Sequence, residues 1–496
     1  MTQAHQPAPI GADPLRYHPR RLPTPTIAEL TARGAVVVAA FARRFASVGV
    51  AQVRHARSGL LSPEELAEPM RLAFEDVGGT FIKFGQILAS SPGIFGEAVS
   101  DEFRSCLDTG PVVAFPEVRR RVEDDLGMTL DEAFASFDPI PIGRASIAVV
   151  HRATLHDGRQ VAVKVLRPGV DHLVATDLDL MEPLFEILVR QTGAQIAGAI
   201  VQQLDGFRLQ IGEEMDLRNE ARALAHFKAL TEENGLALLA VPEAYPELSG
   251  PNVLTMEFLD GVAIDDFAAC AELGIDPAPL IDQLIRGFFM MTVKFRMFHG
   301  DAHAGNLLLL KDGRIGVIDW GIVGRLDAET HWFLCRMLAA VLGEDAAWDD
   351  VTGHLIRTYG PAIGEAMGMD EDQLKVFMRS MIEPVLLQPF GEVSFAAMMN
   401  ATQVEVAKAH GVEFQKLTVR ALIKRIRVQR KIHKMAVEGG GMMSDFDRGY
   451  FLLGKQLMYF ERYGKLFLAD VPILSDRDFI ASLLEQAGEL TPPAAA

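Results

Sequence analysis

"HGDAHAGN", residues 299–306, sets an Asp two positions after a His and an Asn five positions after that Asp. Thirteen residues past Asn306 comes Asp319, in "GVIDWG" (316–321). Between them, "NLLLL" (306–310) and "IGVID" (315–319) flank "DGR" (312–314). Two apolar runs around an Asp-Gly turn signal predict a β-hairpin. Such a hairpin folds Asn306 and Asp319 onto one metal ion and leaves Asp301 where it can orient or deprotonate a nucleophile.

Phosphoryl transfer from ATP needs those parts: a carboxylate near the attacking oxygen and ligands for Mg²⁺. Protein kinases supply them as H-R-D-x-x-x-x-N followed by D-F-G. His299-Gly300-Asp301, Asn306 and Asp319-Trp320-Gly321 give that spacing. The other half of such a site lies upstream, in β-rich sequence. "ASIAVVHRATL" (145–155) and "QVAVKVL" (160–166), joined through Asp157-Gly158, predict another hairpin. Strand alternation puts Val161 and Val163 on one face, and Ala162 and Lys164 on the other. Lys164 can therefore face a nucleotide and hold its α/β-phosphates. Its expected carboxylate partner lies in "EEMDLRNEARAL" (213–224), with Glu220 chosen over Glu214 and Asp216. "VLTMEFLDG" (253–261) reads as the strand leading into an interlobe hinge. There Met256 borders an adenine pocket, and the Glu257 and Leu259 backbones bond the base. The loop over the phosphates falls in "PIGRASIAVVH" (141–151), which has one glycine where a kinase has G-x-G-x-x-G. Ile142, Gly143, Ala145, Ser146 and Val149 are its candidate nucleotide contacts.

The chain has 496 residues, 49% of them apolar, enough for sizeable cores. A net charge of −18 argues against a general nucleic-acid binder. Cys106, Cys270 and Cys335 are far apart, lack metal spacing and read as buried thiols in a reducing compartment. No apolar run reaches the ~18 residues of a membrane span, and no signal-peptide core opens the chain. The expected location is the cytoplasm, with peripheral contact at the inner face of the membrane left open.

Residues 1–25 hold six prolines and read as a disordered arm. Thr26 and Glu29 have the spacing of a capping box, which predicts a first helix. Ser62, Pro63 and Glu65 predict a second helix to about Val77, stopped by Gly78-Gly79. A third covers "TFIKFGQILASS" (80–91), with Phe81, Phe84 and Leu88 on one face and Lys83 and Gln86 on another. Long helices are expected over 172–235, 276–298 and most of 326–490.

Four segments together resemble the UbiB/AarF family of atypical kinase-like ATPases. "KFGQ" (83–86) is similar to its K-x-G-Q motif, with Lys83 and Gln86, and "ASIAVVHRA" (145–153) to its alanine-rich loop. "EEMD" (213–216) is similar to its E-x-D motif, with Glu214 and Asp216. "HGDAHAGN" and "DWG" are similar to its catalytic and metal loops. The chain departs from the family pattern at Gly143 and Arg144, where further alanines are usual. Val149 stands for Gln, Ala304 for Pro and Trp320 for Phe. The resemblance implies an α+β, two-lobed protein-kinase-like fold with an N-terminal helical extension and a largely helical C-terminal region. The divisions expected are the arm 1–25, the extension 26–125, a β-rich lobe 126–258 and a helical lobe 259–490. It also implies ATP and Mg²⁺, ATPase rather than ordinary protein kinase activity, and a role in isoprenoid-quinone or lipid metabolism. Lys83 and Gln86 would then lie in the pocket near Glu214 and Asp216.

Two other readings stand beside it. "HGDAHAGNLLL…GVIDWG" also resembles small-molecule phosphotransferases of the aminoglycoside or choline kinase type, which would not carry "KFGQ" ahead of the β-lobe. The third reading is a nucleotide-binding scaffold without turnover. The run 417–435 holds seven Lys/Arg and no acid, and reads as a helix that pairs with the protein's own carboxylates or rests on anionic lipid. The sequence leaves the oligomeric state undecided.

Overall fold

The computed structural model describes residues 20, 22–54, 63–89, 97–103, 105, 110, 112–192, 204, 207, 208, 210–367, 369–387, 445–471, 476–488 and 490. The chain divides into two compact units. One comprises the described residues up to Leu273 together with Ala304–Ile322; the other comprises Gly274–His303 and the described residues from Val323 onward. The sequence-based boundary at 258/259 left the Asn306–Asp319 segment with the helical lobe. Strand pairing, described next, explains why it joins the first unit.

The first unit opens with α1 (Ile27–Arg54). The Thr26–Glu29 capping box is formed: the Thr26 N–H donates to Glu29 Oε2 at 2.7 Å and the Glu29 N–H to Thr26 Oγ1 at 3.2 Å. Arg20 lies inside the stretch read as a disordered arm, yet it is anchored. Its guanidinium donates to Asn252 Oδ1 at 2.7 Å and lies 3.5 Å from Asp171. Next come α2 (Pro63–Val77) and α3 (Thr80–Ala89). On α3, Phe81, Phe84 and Leu88 are fully buried, while Lys83 and Gln86 are half-buried on the other side. Phe74 of α2 is the centre of this core, with ring contacts to Phe81, Phe84 and Phe103.

After α4 (Phe115–Leu126), strands β1 (Ser136–Arg144), β2 (Ala148–Thr154), β3 (Gln160–Leu166) and β5 (Val253–Glu257) form an antiparallel sheet in the order β1-β2-β3-β5. Val161, Val163 and Val165 point into a core with Val118 and Val122 of α4. The β2–β3 turn uses Gly158 at φ +92°, a conformation that favours glycine. Helices α5 (Val170–Thr192) and α6 (Leu217–Glu233) lie between β3 and β5 in the chain.

A further sheet orders β4 (Leu239–Ala240), β9 (Ile315–Val317), β8 (Leu307–Leu310) and β6 (Gly261–Ala263) as β4-β9-β8-β6. The predicted hairpin is therefore β8–β9, turned at Gly313. Flanked by β4 and β6, it belongs with the first unit.

The second unit contains α7 (Ala278–Phe295), the short strands β7 (Met297–His299) and β10 (Val323–Arg325), α8 (Ala328–Val341) and α9 (Asp445–Phe467). Its core packs Phe288, Phe298 and Phe460 edge to face. Gly324, opposite Phe298 in the β7–β10 pair, is required there: a Cβ would enter the Phe298 ring. Cys270 of the first unit and Cys335 of the second are free and buried, as expected, and Cys106 lies outside the described residues. Burial pushes the Cys335 thiol up to about 12. Among the described residues, no helix is long and apolar enough to cross a membrane. The basic run 417–435 lies outside them.

Candidate active site

Lys164 is the hub of the first unit's polar cluster. Its Nζ donates to Glu220 Oε1 at 3.0 Å, to Glu220 Oε2 at 2.8 Å and to Asp319 Oδ2 at 3.1 Å. The strand presents it because the valines on either side point into the core. Glu220 sits in the first turn of α6, and Asp319 follows β9. Asn306 ends the short turn before β8, and the Ile318 N–H donates to its carbonyl at 3.0 Å, which sets it beside residue 319.

The electrostatics follow from this crowding. Burial raises Glu220 to about 7, helped by the Asp319 charge and opposed by Lys164. Asp319 is held well below the ordinary carboxylate range. Burial alone would raise it, but the Lys164 ammonium, with Lys83 and the Gly321 N–H, outweighs that. Lys164 is raised: burial would lower it, but Asp319 and Glu220 both hold the proton on.

The extension helix α3 enters the same cluster. Lys83 Nζ lies 2.9 Å from Glu214 Oε2, and Gln210 Nε2 donates to Glu214 Oε1 at 3.2 Å. Gly321 stands among the carboxylates; a Cβ there would lie 3.2 Å from Asp319 Oδ1, 3.9 Å from Glu214 Cγ and 4.0 Å from Glu220 Oε2. Asp216, expected beside Lys83, is committed to the start of α6: it accepts from the Arg218 N–H at 3.2 Å and pairs with the Arg218 guanidinium at 2.6 Å. Gln86 lies one turn from Lys83 on α3.

Trp320 is buried, donates from Nε1 to the Val317 carbonyl at 2.9 Å and packs against Phe227 of α6 with ring centroids 4.3 Å apart and the planes tilted by 30°. This contact ties the Asp319 segment to the helix that carries Glu220.

The expected nucleotide contacts fall into two groups. Gly143 pairs with Val150, and Val150 with Lys164, so these three make one row across the sheet. Ile142 is half-exposed on the edge strand. The Ala145 N–H donates to the Ala148 carbonyl at 2.9 Å, and the Ala145 carbonyl accepts from Arg167 Nε at 2.9 Å. Ser146 is buried in that turn. Met256 is buried opposite Ala162. The Glu257 N–H is taken by the Glu243 carbonyl at 2.8 Å. Leu259 packs with Ala240 and Leu310. Val149 corrects the sequence reading: it pairs with Val165 and lies in the hydrophobic core, so Val150 takes the position beside Lys164.

Asp301 belongs to the second unit, with a different set of partners. Lys455 Nζ lies 2.8 Å from Asp301 Oδ1, and the Tyr459 hydroxyl donates to the same oxygen at 3.1 Å. The Asp301 N–H donates to His299 Nδ1 at 3.1 Å. Gln456 Oε1 accepts from the Ala302 N–H at 3.2 Å, and the Tyr463 hydroxyl donates to the Ala302 carbonyl at 2.7 Å. Sequence reasoning missed all four of these α9 residues. Their spacing in "GKQLMYFERYG" (454–464) suits one helical face, but it does not say what that face meets.

Asp319 and Asn306 offer the oxygen donors that Mg²⁺ prefers. No group of three or more His, Cys, Asp or Glu among the described residues could hold a metal by itself. Two protein ligands completed by phosphate oxygens and water are the ordinary arrangement for Mg²⁺, so these residues fit that ion.

Comparison with known proteins agrees with this geometry. Residues 106–348 match the ABC1 atypical kinase-like domain. An uncharacterized aarF domain-containing protein kinase of the Arabidopsis thaliana chloroplast is 32% identical over 431 residues, which is 84% of this chain and 74% of that one. The chain belongs to the UbiB/AarF family. An uncharacterized protein of Mycobacterium tuberculosis is 32% identical over 416 residues, 83% of this chain and 77% of that one. A probable protein kinase UbiB of Azotobacter vinelandii is 32% identical over 343 residues, 68% of this chain and 62% of its own length. This UbiB/AarF chain is thus an α+β atypical kinase of the UbiB type.

Proposed function

We propose that this UbiB/AarF protein binds ATP with Mg²⁺ and hydrolyses it, or transfers its γ-phosphoryl group, in support of isoprenoid-quinone or lipid metabolism. The observation that carries the reading is Lys164 held between Glu220 and Asp319. A lysine so placed can leave Asp319 for the phosphates while Glu220 keeps it in position. Asp319 and Asn306 would hold Mg²⁺, which neutralises charge on the phosphate oxygens when bound. The Gly143–Ser146 turn would cover the phosphates, and Met256 with the Glu257 and Leu259 backbones would border the base. Asp301 would orient or deprotonate the acceptor.

Lys83 and Glu214 support ATPase activity over ordinary protein kinase activity. They bring the extension helix into the polar cluster beside Asp319. The quinone link is what the resemblance to the UbiB/AarF family implies. As sequence, the basic run 417–435 offers a route to an anionic membrane surface and its lipid-soluble metabolites.

Incubation with Mg·ATP followed by product analysis tests the reading. Free phosphate is the expected product, with little phosphorylation of casein-like substrates. A phosphorylated small molecule would favour the aminoglycoside or choline kinase type. Bound but unconverted ATP would leave a nucleotide-binding scaffold. Quinone and lipid content in a strain lacking the gene tests the metabolic link.

A further inference from the structure

Residues 297–310, which contain Asp301, include no lysine or arginine. The cation beside the Asp301 carboxylate arrives instead from α9, as Lys455 at 2.8 Å. Only 7% of the Lys455 side chain and 17% of the Asp301 side chain are exposed. A lysine buried to that degree is costly unless its charge is matched, so this contact is far from an exposed surface pair. The other lysine of α9 with a described ion pair, Lys465, is 41% exposed and meets Glu461 of its own helix.

Three neighbours of Lys455 fix the same segment. Tyr459, one turn on, donates to the same Asp301 oxygen; Gln456 and Tyr463 bond the Ala302 backbone on both sides. One helical face thus holds a carboxylate and the peptide that follows it. Among the described residues, the titratable or charged groups around the carboxylate include Lys455 and Tyr459 from α9, His299 from β7, and His303, whose ring lies 6.3 Å from that of Tyr459.

We propose that Lys455 is a positioning residue for Asp301: it keeps the carboxylate ionised and oriented for the acceptor, with Tyr459 fixing the oxygen that faces α9. The inference deepens the role given to Asp301 above and rests on it. An ammonium at this distance favours the ionised carboxylate, and its loss lets the carboxylate take up a proton at higher pH.

The test compares the full-length wild type with Lys455→Met and Lys455→Arg. In steady-state hydrolysis of Mg·ATP, Lys455→Met should lower kcat by about ten-fold or more, within the range of general acid–base effects. KM for ATP should stay within about two-fold, because ground-state nucleotide binding is untouched. The acid limb of its kcat–pH profile should move up by about one unit or more. Lys455→Arg should restore most of the turnover and return the acid limb. Should Lys455→Met fail to fold, Lys455→Gln carries the same comparison. An unmoved acid limb, or an Arg variant that folds but is no better than Met, overturns the proposal.

A second measurement does not need turnover. In protein labelled with [¹³C]aspartate, the Asp301 carboxyl signal is identified by its loss in Asp301→Asn. Its titration midpoint should rise in Lys455→Met; an equal midpoint in wild type and variant overturns the proposal. If the wild type forms no product, the functional reading fails, while this titration still decides the Lys455–Asp301 relationship.

Discussion

Lys164 holds two carboxylates at once, with its Nζ 2.8 Å from Glu220 Oε2 and 3.1 Å from Asp319 Oδ2. Lys164→Met removes the charge both depend on and leaves like charges facing each other. The variant should lose about 3 kcal/mol of stability, the scale of breaking a buried pair. Lys164→Met/Glu220→Gln should recover a large part of that loss, since the double change removes a buried charge along with its partner. Neither variant should bind Mg·ATP. Urea unfolding with isothermal calorimetry checks both statements, and a double variant no more stable than Lys164→Met would contradict the first.

Asp301 and Asp319 should separate by their defects. Asp319→Asn keeps size but removes the charge proposed to face Mg²⁺, so the thermal shift with Mg·ATP should largely vanish. Asp301→Asn should keep that shift and lose turnover. Equal shifts in the wild type and Asp319→Asn would remove Asp319 from the site.

The Lys83–Glu214 pair is more than half-buried on both sides, with 19% and 9% of the side chains exposed. A double-mutant cycle with Lys83→Met and Glu214→Gln should give a coupling of about 1–3 kcal/mol. Coupling near zero would mean that α3 is held to the cluster by its phenylalanines alone.

Gly110 should be intolerant of a side chain. A Cβ there would collide with the Arg167 guanidinium and the Ala145 carbonyl. Gly110→Ala should therefore loosen the turn at Ala145–Ile147 as well as lower the melting temperature. Faster hydrogen exchange at Ala145–Ile147 is the direct readout, and unchanged exchange there would refute the coupling.

His354 gives the second unit an acid limit. Its side chain is 2% exposed, between Trp332 and Phe333. Burial, with Arg357 nearby and against the pull of Asp327, lowers its pKa from 6.5 to about 4. Between those values the unfolded chain takes up a proton that the folded chain refuses. The stability contribution is complete above pH 6.5 and is lost as pH falls towards 4. The change is at most about 3 kcal/mol. His151 and His331 are also lowered by burial and act in the same direction. Denaturant unfolding from pH 7 to 4 should show the loss in the wild type and a smaller one in His354→Phe; equal slopes would exclude His354 as a source.

The basic run 417–435 carries a vesicle test. Binding to anionic but not neutral liposomes, lost at high salt and in Lys424→Glu/Arg427→Glu, is the outcome expected of a membrane contact. Absence of binding to either leaves internal pairing.

What could be read from the sequence was local. The Asn306–Asp319 hairpin was legible because Asp312-Gly313 marks its turn, and the Lys164 strand because valines alternate around it. The Glu220 partnership was legible because an α6 residue at that spacing is a standard demand of the site. Val149 was a candidate because it falls in the loop read as covering the phosphates, and the strand register decides against it. Thr154 pairs with Gln160 across the turn, which puts Val150 opposite Lys164, and a slip of one residue turns every side chain over. Asp216 stands just before a helix, where an Asp is first of all an N-cap. Lys455 could not be found in this way: it lies 154 positions from Asp301, and no short-range pattern in the chain encodes that distance.

The ring contact between Trp320 and Phe227 has an optical consequence. The chain has three tryptophans, and Trp332 and Trp348 both lie in helical cores of the second unit. Trp332→Phe/Trp348→Phe would leave a single emitter, one residue from Asp319 and packed against the helix that carries Glu220. Its emission would follow the Asp319 segment directly, so ligand titrations and stopped-flow traces could be recorded with no attached dye.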